Sequence, residues 1–172
     1  MEDDFLDFIT PSTLRSNIKE SLSYVGFLYT LSETIDTVYK DETIRTIVLY
    51  NSAVVEALLL FRAKKRKIKF PEEKFTYTHS IPKIFQQDKK NIILALHTTT
   101  EKPENRVWFR DLVREQKDFL GKKLSQNIIE MYDIRNTFHL SKKRSGLDSK
   151  KVESSSKLVL DVIKKLHREF VT

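Results

Sequence analysis

The segment from Met131 to His139 carries polar, chemically active side chains on a helical pattern that should be apolar. At about 100° per residue, Arg135 lies in the middle of the stripe that Ile128 and Met131 mark. His139 follows one turn later and flanks the arginine. A guanidinium in an apolar stripe is costly unless it is paired or faces a water-filled cleft. The segment therefore holds either a structural ion pair or a site.

Glu56 is the natural partner for an ion pair with Arg135. It interrupts an otherwise apolar run from Ala53 to Leu60. A buried carboxylate needs a hydrogen-bond donor, and the fork of an arginine can provide two. In this interpretation His139 is only a neighbour whose hydrogen bonds are satisfied.

The same residues also suit phosphodiester chemistry. Histidine exchanges protons near neutral pH, and arginine binds phosphate and stabilises negative charge. The Tyr132 hydroxyl and the Asn136 amide accompany Arg135 and His139 on the helix. RNA can be cleaved without a metal because its own 2′-hydroxyl attacks the neighbouring phosphorus. The protein then only has to move protons and stabilise charge.

The stretch from Tyr132 to His139 resembles the Arg-polar-(x)n-His signature of HEPN domains, helical bundles found in many prokaryotic RNase toxins and defence proteins. The order of elements is also similar over residues 40–170: a buried helix with its glutamate, the Arg-Asn…His helix, a basic loop and a final amphipathic helix. The spacing is shorter than in the usual catalytic pattern. Three residues separate Arg135 from His139, and Leu140 stands where the commonest spacing has histidine.

This resemblance implies a role for each residue of the site. Arg135 would hold the scissile phosphate, and His139 would be the general acid and base. Asn136 would orient the substrate, Glu56 would fix the arginine and Tyr132 would assist. The implied activity is a metal-independent endoribonuclease of the toxin or phage-defence type that leaves a cyclic phosphate.

The resemblance also implies partners. Family members commonly form homodimers in which two motifs line one cleft, and an antitoxin or another defence-system protein could accompany them. Two alternatives remain open. One is a non-catalytic HEPN-like module that binds RNA, a nucleotide or a protein partner, and the other is a plain helical interaction protein with a structural Arg135.

Basic residues follow the candidate site and close the second predicted helix. Lys142, Lys143 and Arg144 come directly after it, and Lys65 and Arg66 belong to the second block. At the rim of a site these cations would attract RNA phosphates. Alternatively, they form a solvated loop and a favourable helix end.

The remaining pattern predicts an all-α bundle of about five helices. Apolar residues at helical steps indicate a first helix from Pro11 to about Lys40. The second, from about Ile44 to Lys65 with Asp41 as its cap, is apolar nearly all round and should be the central rod. Further helical segments are predicted at about 84–97, 107–120, 122–139 and 149–170, with a loop-rich excursion at 66–83.

Two smaller expectations concern the arrangement of the chain. Residues 1–40 should form an arm and first helix that pack on the bundle, and residues 41–172 the HEPN-like domain. Gly26 lies inside the first helix and marks either a weak point or a close helix contact.

Composition excludes several classes of function. The 172 residues contain no Cys, which removes disulfides, zinc ribbons, iron–sulfur clusters and thiol nucleophiles. Only three Gly are present, far apart, which argues against glycine-rich nucleotide loops. No metal and no cofactor are expected. The acidic N-terminus and the lack of a long apolar run predict a cytoplasmic protein without a membrane span, and the net charge of +7 favours an anionic partner such as RNA.

Overall fold

The computed structural model describes residues 5–81, 92–136 and 149–171. These residues form a mostly helical protein with one small antiparallel sheet, which confirms the predicted helical-bundle class. The six α-helices are α1 Ser12–Ser32, α2 Thr37–Arg66, α3 Phe109–Glu115, α4 Lys117–Leu120, α5 Lys122–Asn136 and α6 Ser149–Val171, and the strands are β1 Pro71–Ile81 and β2 Ile92–Glu101. The chain divides into two compact units, residues 1–68 with 108–172, and residues 69–107.

Helix α2 is the central rod of the helical unit, as its apolar sequence predicted. It packs against α1, α3, α5 and α6. Because it is surrounded, apolar side chains are buried around much of its circumference: Ile47, Val48, Val54, Val55, Leu58 and Leu59. By length and mean hydropathy the part of this helix from Tyr39 to Arg66 could cross a membrane, but 61% of the apolar window is buried inside the protein. Burial in the bundle accounts for its composition.

Helices α1 and α2 meet earlier in the chain than predicted. The first helix ends at Ser32 instead of near Lys40, and the second begins at Thr37 after Asp36. The Ser32 hydroxyl donates to the Tyr29 carbonyl at 2.7 Å, and the hydroxyl of Thr34 donates to the carbonyl of Leu31 at 3.0 Å. Such hydroxyls offer carbonyls at a helix end partners outside the helix ladder, which stops the helix here.

The segment before α1 docks on the bundle. Residues 5–8 form a turn, and Leu6 and Ile9 are fully buried. The Phe8 ring lies 6.1 Å from Phe61 and 6.3 Å from Phe170, between the ends of α2 and α6. This apolar turn is the docking segment that its sequence suggested.

Helix α6 contacts α2 through polar as well as apolar side chains. The buried amide of Asn51 donates to the hydroxyls of Ser155 at 2.9 Å and Ser156 at 3.1 Å. Ser155 in turn donates to the carbonyl of Val152. The serine run at 154–156 therefore includes one residue, Ser155, that faces the core.

The predicted helix over 84–97 is wrong for residues 92–97, which belong to β2; residues 84–91 lie outside the described part of the chain. Strands β1 and β2 pair antiparallel, with Pro71 opposite Glu101 and a bulge after Tyr77. β-branched and aromatic side chains favour strands, but a short apolar run does not reveal its period unless the pairing strand is known. The excursion at 66–83, predicted to be rich in loops, contains the 11-residue strand β1.

Candidate functional site

Helix α5 carries Arg135 in its last turn and brings it to the central helix. One face of α5 is buried through Ser125, Ile128 and Met131, and this packing fixes the direction of the arginine. Its Nη1 donates to Oε2 of Glu56 on α2 at 3.0 Å. The contact expected between these two residues is therefore confirmed, although one hydrogen bond forms rather than a fork with two.

The Arg135–Glu56 pair is only partly buried. The arginine side chain is 34% exposed and the glutamate side chain 32%. At that exposure solvent screens the charges, so the pair contributes on the order of 1 kcal/mol or less to stability. Among the described residues, the other N–H groups of Arg135 have no hydrogen-bond partner. A guanidinium has five N–H donors, and the described residues accept a hydrogen bond from one of them.

A stack of two aromatic rings lies next to Arg135. The ring of Tyr132 lies parallel to that of Phe109 on α3, with centroids 4.5 Å apart. The Cζ atom of Arg135 is 5.7 Å from the Tyr132 ring, within the range of a cation–π contact. Because Phe109 is buried, the stack ties the site to the core.

Asn136 ends the described part of α5. Its side chain is half-buried and makes no hydrogen bond to any described residue. The Tyr132 hydroxyl is likewise uncommitted within that part of the chain. Within the described residues, the Asn136 amide and the Tyr132 hydroxyl therefore make no hydrogen bond beside Arg135.

A second ion pair crosses between α3 and α5 beside the site. Nη2 of Arg110 donates to Oδ1 of Asp133 at 2.7 Å, and both side chains are exposed. This hydrogen bond and the aspartate charge raise the pKa of Arg110. The pair resembles Arg135–Glu56 in chemistry but lies on the outer surface, which makes it a useful control.

Trp108 and Phe109 are neighbours in the sequence but differ in burial. Phe109 is 2% exposed, whereas Trp108 is 68% exposed. Trp108 is the N-cap residue of α3, and its backbone N–H donates to the carboxylate of Asp111, three residues later, at 3.0 Å. An acid three residues after the N-cap is typical of a helix start, and this spacing is the sequence signal that Trp108 lies at a helix boundary.

The predicted basic residues fall into two groups. Lys142, Lys143 and Arg144 lie outside the described residues, as does His139. Lys65 is on α2, about 14 Å along the helix axis from Glu56.

Arg66 is engaged elsewhere. Its Nε donates to Glu169 on α6 at 2.8 Å, and its Cζ lies 5.1 Å from the Phe170 ring. The structure therefore joins Arg66 to α6 and not to the Arg135 pair. Neither α2 cation of the RNA-binding prediction is brought to this site.

Within residues 5–81, 92–136 and 149–171, no group of three His, Asp or Glu side chains is placed to hold a metal ion. Comparison with protein-family models, with curated proteins and with solved structures finds no match to this chain. The site must therefore be interpreted from its own geometry.

Proposed function

We propose that this chain is a HEPN-like, metal-independent endoribonuclease in which Arg135 binds the scissile phosphate of the RNA. One observation carries the proposal: the guanidinium is anchored by a single hydrogen bond to Glu56, is one-third exposed, and keeps its other donors uncommitted within the described residues. A purely structural arginine of this kind would be expected to satisfy more of its donors internally.

The proposed reaction uses the RNA itself as the nucleophile. The 2′-oxygen attacks the adjacent phosphorus as its proton passes to a base, and the 5′-oxygen leaves with a proton from an acid. A 2′,3′-cyclic phosphate and a 5′-hydroxyl result. His139 supplies the proton transfer, and Arg135 binds the non-bridging oxygens on which charge increases. Glu56 and Tyr132 hold the guanidinium in place.

Recognition of RNA would use charge and stacking. Exposed Trp108 offers a ring on which a base can stack, which is worth about 1–3 kcal/mol per base in single-strand binding. Lys142, Lys143 and Arg144 follow the catalytic motif in sequence and would attract the phosphates of the chain.

The proposal extends to assembly. The motif contains one histidine, His139. This histidine must serve as both base and acid, or a second copy of the chain must contribute one of these groups. We therefore include a homodimer with two motifs in one cleft, in a cytoplasmic protein that a cognate antitoxin or defence-system partner could control. Mixing inactive Arg135→Ala and His139→Ala chains should restore part of the activity if the site is shared.

The decisive experiment is an end-group analysis of cleaved RNA. The full chain is incubated with labelled single-stranded RNA in EDTA, and the products should end in 2′,3′-cyclic phosphate. His139→Ala should abolish the products, whereas His97→Ala should leave them unchanged because His97 lies on the exposed hairpin. Cleavage that needs a divalent metal, or that survives in His139→Ala, would contradict the proposal.

A non-catalytic module is the second candidate, favoured by the short spacing between Arg135 and His139. It predicts RNA binding without cleavage that is unchanged in His139→Ala but weaker after loss of Lys142 and Lys143. Anisotropy with the same RNA in EDTA separates the two candidates, because binding is measured whether or not products form.

A further inference from the structure

Helices α5 and α6 line a second concave surface. This α5–α6 groove has a volume of about 890 Å³ and is closed at the bottom by Val48 of α2. Neither Arg135 nor Glu56 lines it. The groove is therefore not the candidate nuclease site.

The groove is long. Its lining extends along α5 from Lys122 to Ile134 and along α6 from Lys151 to Arg168. At 1.5 Å per residue these stretches measure about 18 Å and about 26 Å. A surface of this length matches three to four turns of an added helix better than a single small molecule.

The rim of the groove is strongly basic. Seven Lys or Arg residues and two acids line it, which gives 7 − 2 = +5 formal charges. Four of the lysines are exposed and make no ion pair with any described residue: Lys122, Lys123, Lys157 and Lys164. These unpaired cations stand on both walls, so an occupant would meet positive charge on two sides.

The floor of the groove is mostly aliphatic. Leu120, Met131 and Leu158 are buried beneath it together with Ser155, and Leu124 and Ile134 are half-buried on its α5 wall. No aromatic ring of the described residues lines it. Nucleic acids that bind in basic channels commonly stack their bases on aromatic side chains, and the described lining provides none.

We propose that the α5–α6 groove binds an acidic amphipathic helix of a partner protein. Apolar anchors on successive turns of that helix would lie on the aliphatic floor, and its flanking Glu or Asp side chains would meet the lysines on the walls. This binding site is independent of RNA cleavage at Arg135. An acidic helix is favoured over RNA by the combination of aliphatic floor, basic walls and length.

A peptide selection on the intact chain tests the proposal. A displayed library of 16-residue peptides on a helical scaffold is selected against the full protein, and the winners are synthesised for anisotropy measurements. The selected peptides should be acidic, with apolar residues at i, i+3, i+4 and i+7. Binding should fall at least tenfold in the double variant Lys157→Glu, Lys164→Glu.

The controls use residues on the same helix and a reversal of charge. Lys150→Glu lies on α6 but outside the groove lining, so affinity should stay within twofold. A selected peptide whose acidic residues are replaced by lysine should bind the Lys157→Glu, Lys164→Glu variant. Because the substituted side chains are exposed, circular dichroism should show an intact helical unit.

Three results would overturn the proposal. Selected peptides without net negative charge, or acidic peptides that bind the Lys157→Glu, Lys164→Glu variant as tightly as the native chain, would place the contact elsewhere. A single-stranded RNA whose affinity falls in that variant and not in Lys150→Glu, with no acidic peptide selected, would assign the groove to RNA instead.

Discussion

Arg62 and Arg135 show how the same side chain is used in two ways within the helical unit. Arg62 is 13% exposed and donates from Nε and Nη2 to the two oxygens of Glu169, at 2.7 and 2.9 Å. Its Nη1 donates to Gln116, and its Cζ lies 3.9 Å from the Phe119 ring. All three nitrogens of that guanidinium donate a hydrogen bond, and one of its faces lies over an aromatic ring.

Arg135 has fewer contacts with the described residues. It makes one hydrogen bond, to Glu56, keeps one-third of its side chain exposed, and its Cζ lies 5.7 Å from the Tyr132 ring. The contrast with Arg62 supports the proposal that Arg135 binds a ligand.

Glu56→Gln tests the role of the glutamate as the group that positions Arg135. The amide keeps the side-chain volume but removes the charge, so RNA cleavage should fall about tenfold, equal to about 1.4 kcal/mol in the barrier. The free energy of unfolding should change by no more than about 1 kcal/mol, because the pair is partly exposed. Single-turnover cleavage and urea unfolding give the two numbers.

The control for this substitution is Glu115→Gln. Glu115 also accepts a hydrogen bond from an arginine, at 2.7 Å from Arg114 on α3, but has no part in the site. Its cleavage rate should remain at the native value. Unchanged cleavage in Glu56→Gln together with a large loss of stability would reduce Arg135–Glu56 to a structural pair.

Glu169 makes stability depend on pH. Burial raises the pKa of its carboxyl, but hydrogen bonds and charge from Arg62 and Arg66 outweigh burial and lower the pKa below its ordinary value of 4.5. A lowered pKa stabilises the fold fully above about pH 4.5 and progressively less as the pH falls through the folded value. Acid should therefore loosen the α2–α6 contact.

Glu169→Gln should lower the free energy of unfolding at pH 7 by about 2 kcal/mol, since two charge-assisted hydrogen-bonded contacts are weakened. The variant should also lose less stability than the native protein between pH 5 and about pH 3. Urea unfolding across this range measures both effects. Glu153→Gln, an exposed residue of α6, should match the native curve, and an equally steep acid dependence in Glu169→Gln would show that other groups control it.

At the scale of elements, the helices with a long apolar periodicity could be predicted from the sequence, and the connections between elements could not. Helices α2, α5 and α6 follow their apolar patterns, because burial on several sides or on one face leaves a period in the sequence. The α1–α2 boundary was missed because hydroxyls near Ser32 end the helix before its apolar stripe ends. The strand β2 was missed because its partner, β1, is separated from it in the sequence.

Substitution by alanine should change the free energy of unfolding in opposite directions at the two described glycines, Gly26 and Gly121. Gly26 is exposed inside α1, and a Cβ there meets nothing within 4 Å, so it is a weak point and not a close contact. Gly26→Ala should raise the free energy of unfolding by up to about 1 kcal/mol.

Gly121 joins α4 to α5 with φ of +80°, a conformation that strains any side chain although the space is open. Gly121→Ala should lower the free energy of unfolding by about 1–3 kcal/mol. Thermal or urea unfolding of both variants gives the test. Equal shifts of the same sign would show that backbone conformation does not control these positions.

At the scale of the whole molecule, α5 presents two different faces to possible ligands. One face directs Arg135 to Glu56 above the Phe109–Tyr132 stack, and another lines the basic α5–α6 groove. The sequence allowed the first to be predicted, because Arg135 interrupts an apolar stripe. It did not allow the second, because a groove depends on how far apart two helices pack.

The hairpin unit adds an exposed surface of its own. Phe75 stacks on His97 with ring centroids 4.8 Å apart, and Phe75 is 67% exposed. The sequence analysis predicted a loop-rich excursion around Phe75 and a helix ending at His97, and did not foresee that the two residues pair across a hairpin. Cross-strand pairing is a property of the assembled sheet and leaves only a weak local trace.

Cleavage by two matched arginine variants tests the central claim most directly. Arg135 and Arg110 each pair with one carboxylate on a neighbouring helix. Our proposal assigns the phosphate contact to Arg135 alone. In EDTA, Arg135→Ala should reduce the single-turnover cleavage rate of RNA by about 100-fold or more, and Arg110→Ala should stay within about twofold of the native rate. Equal rates in the native chain and Arg135→Ala would contradict the account.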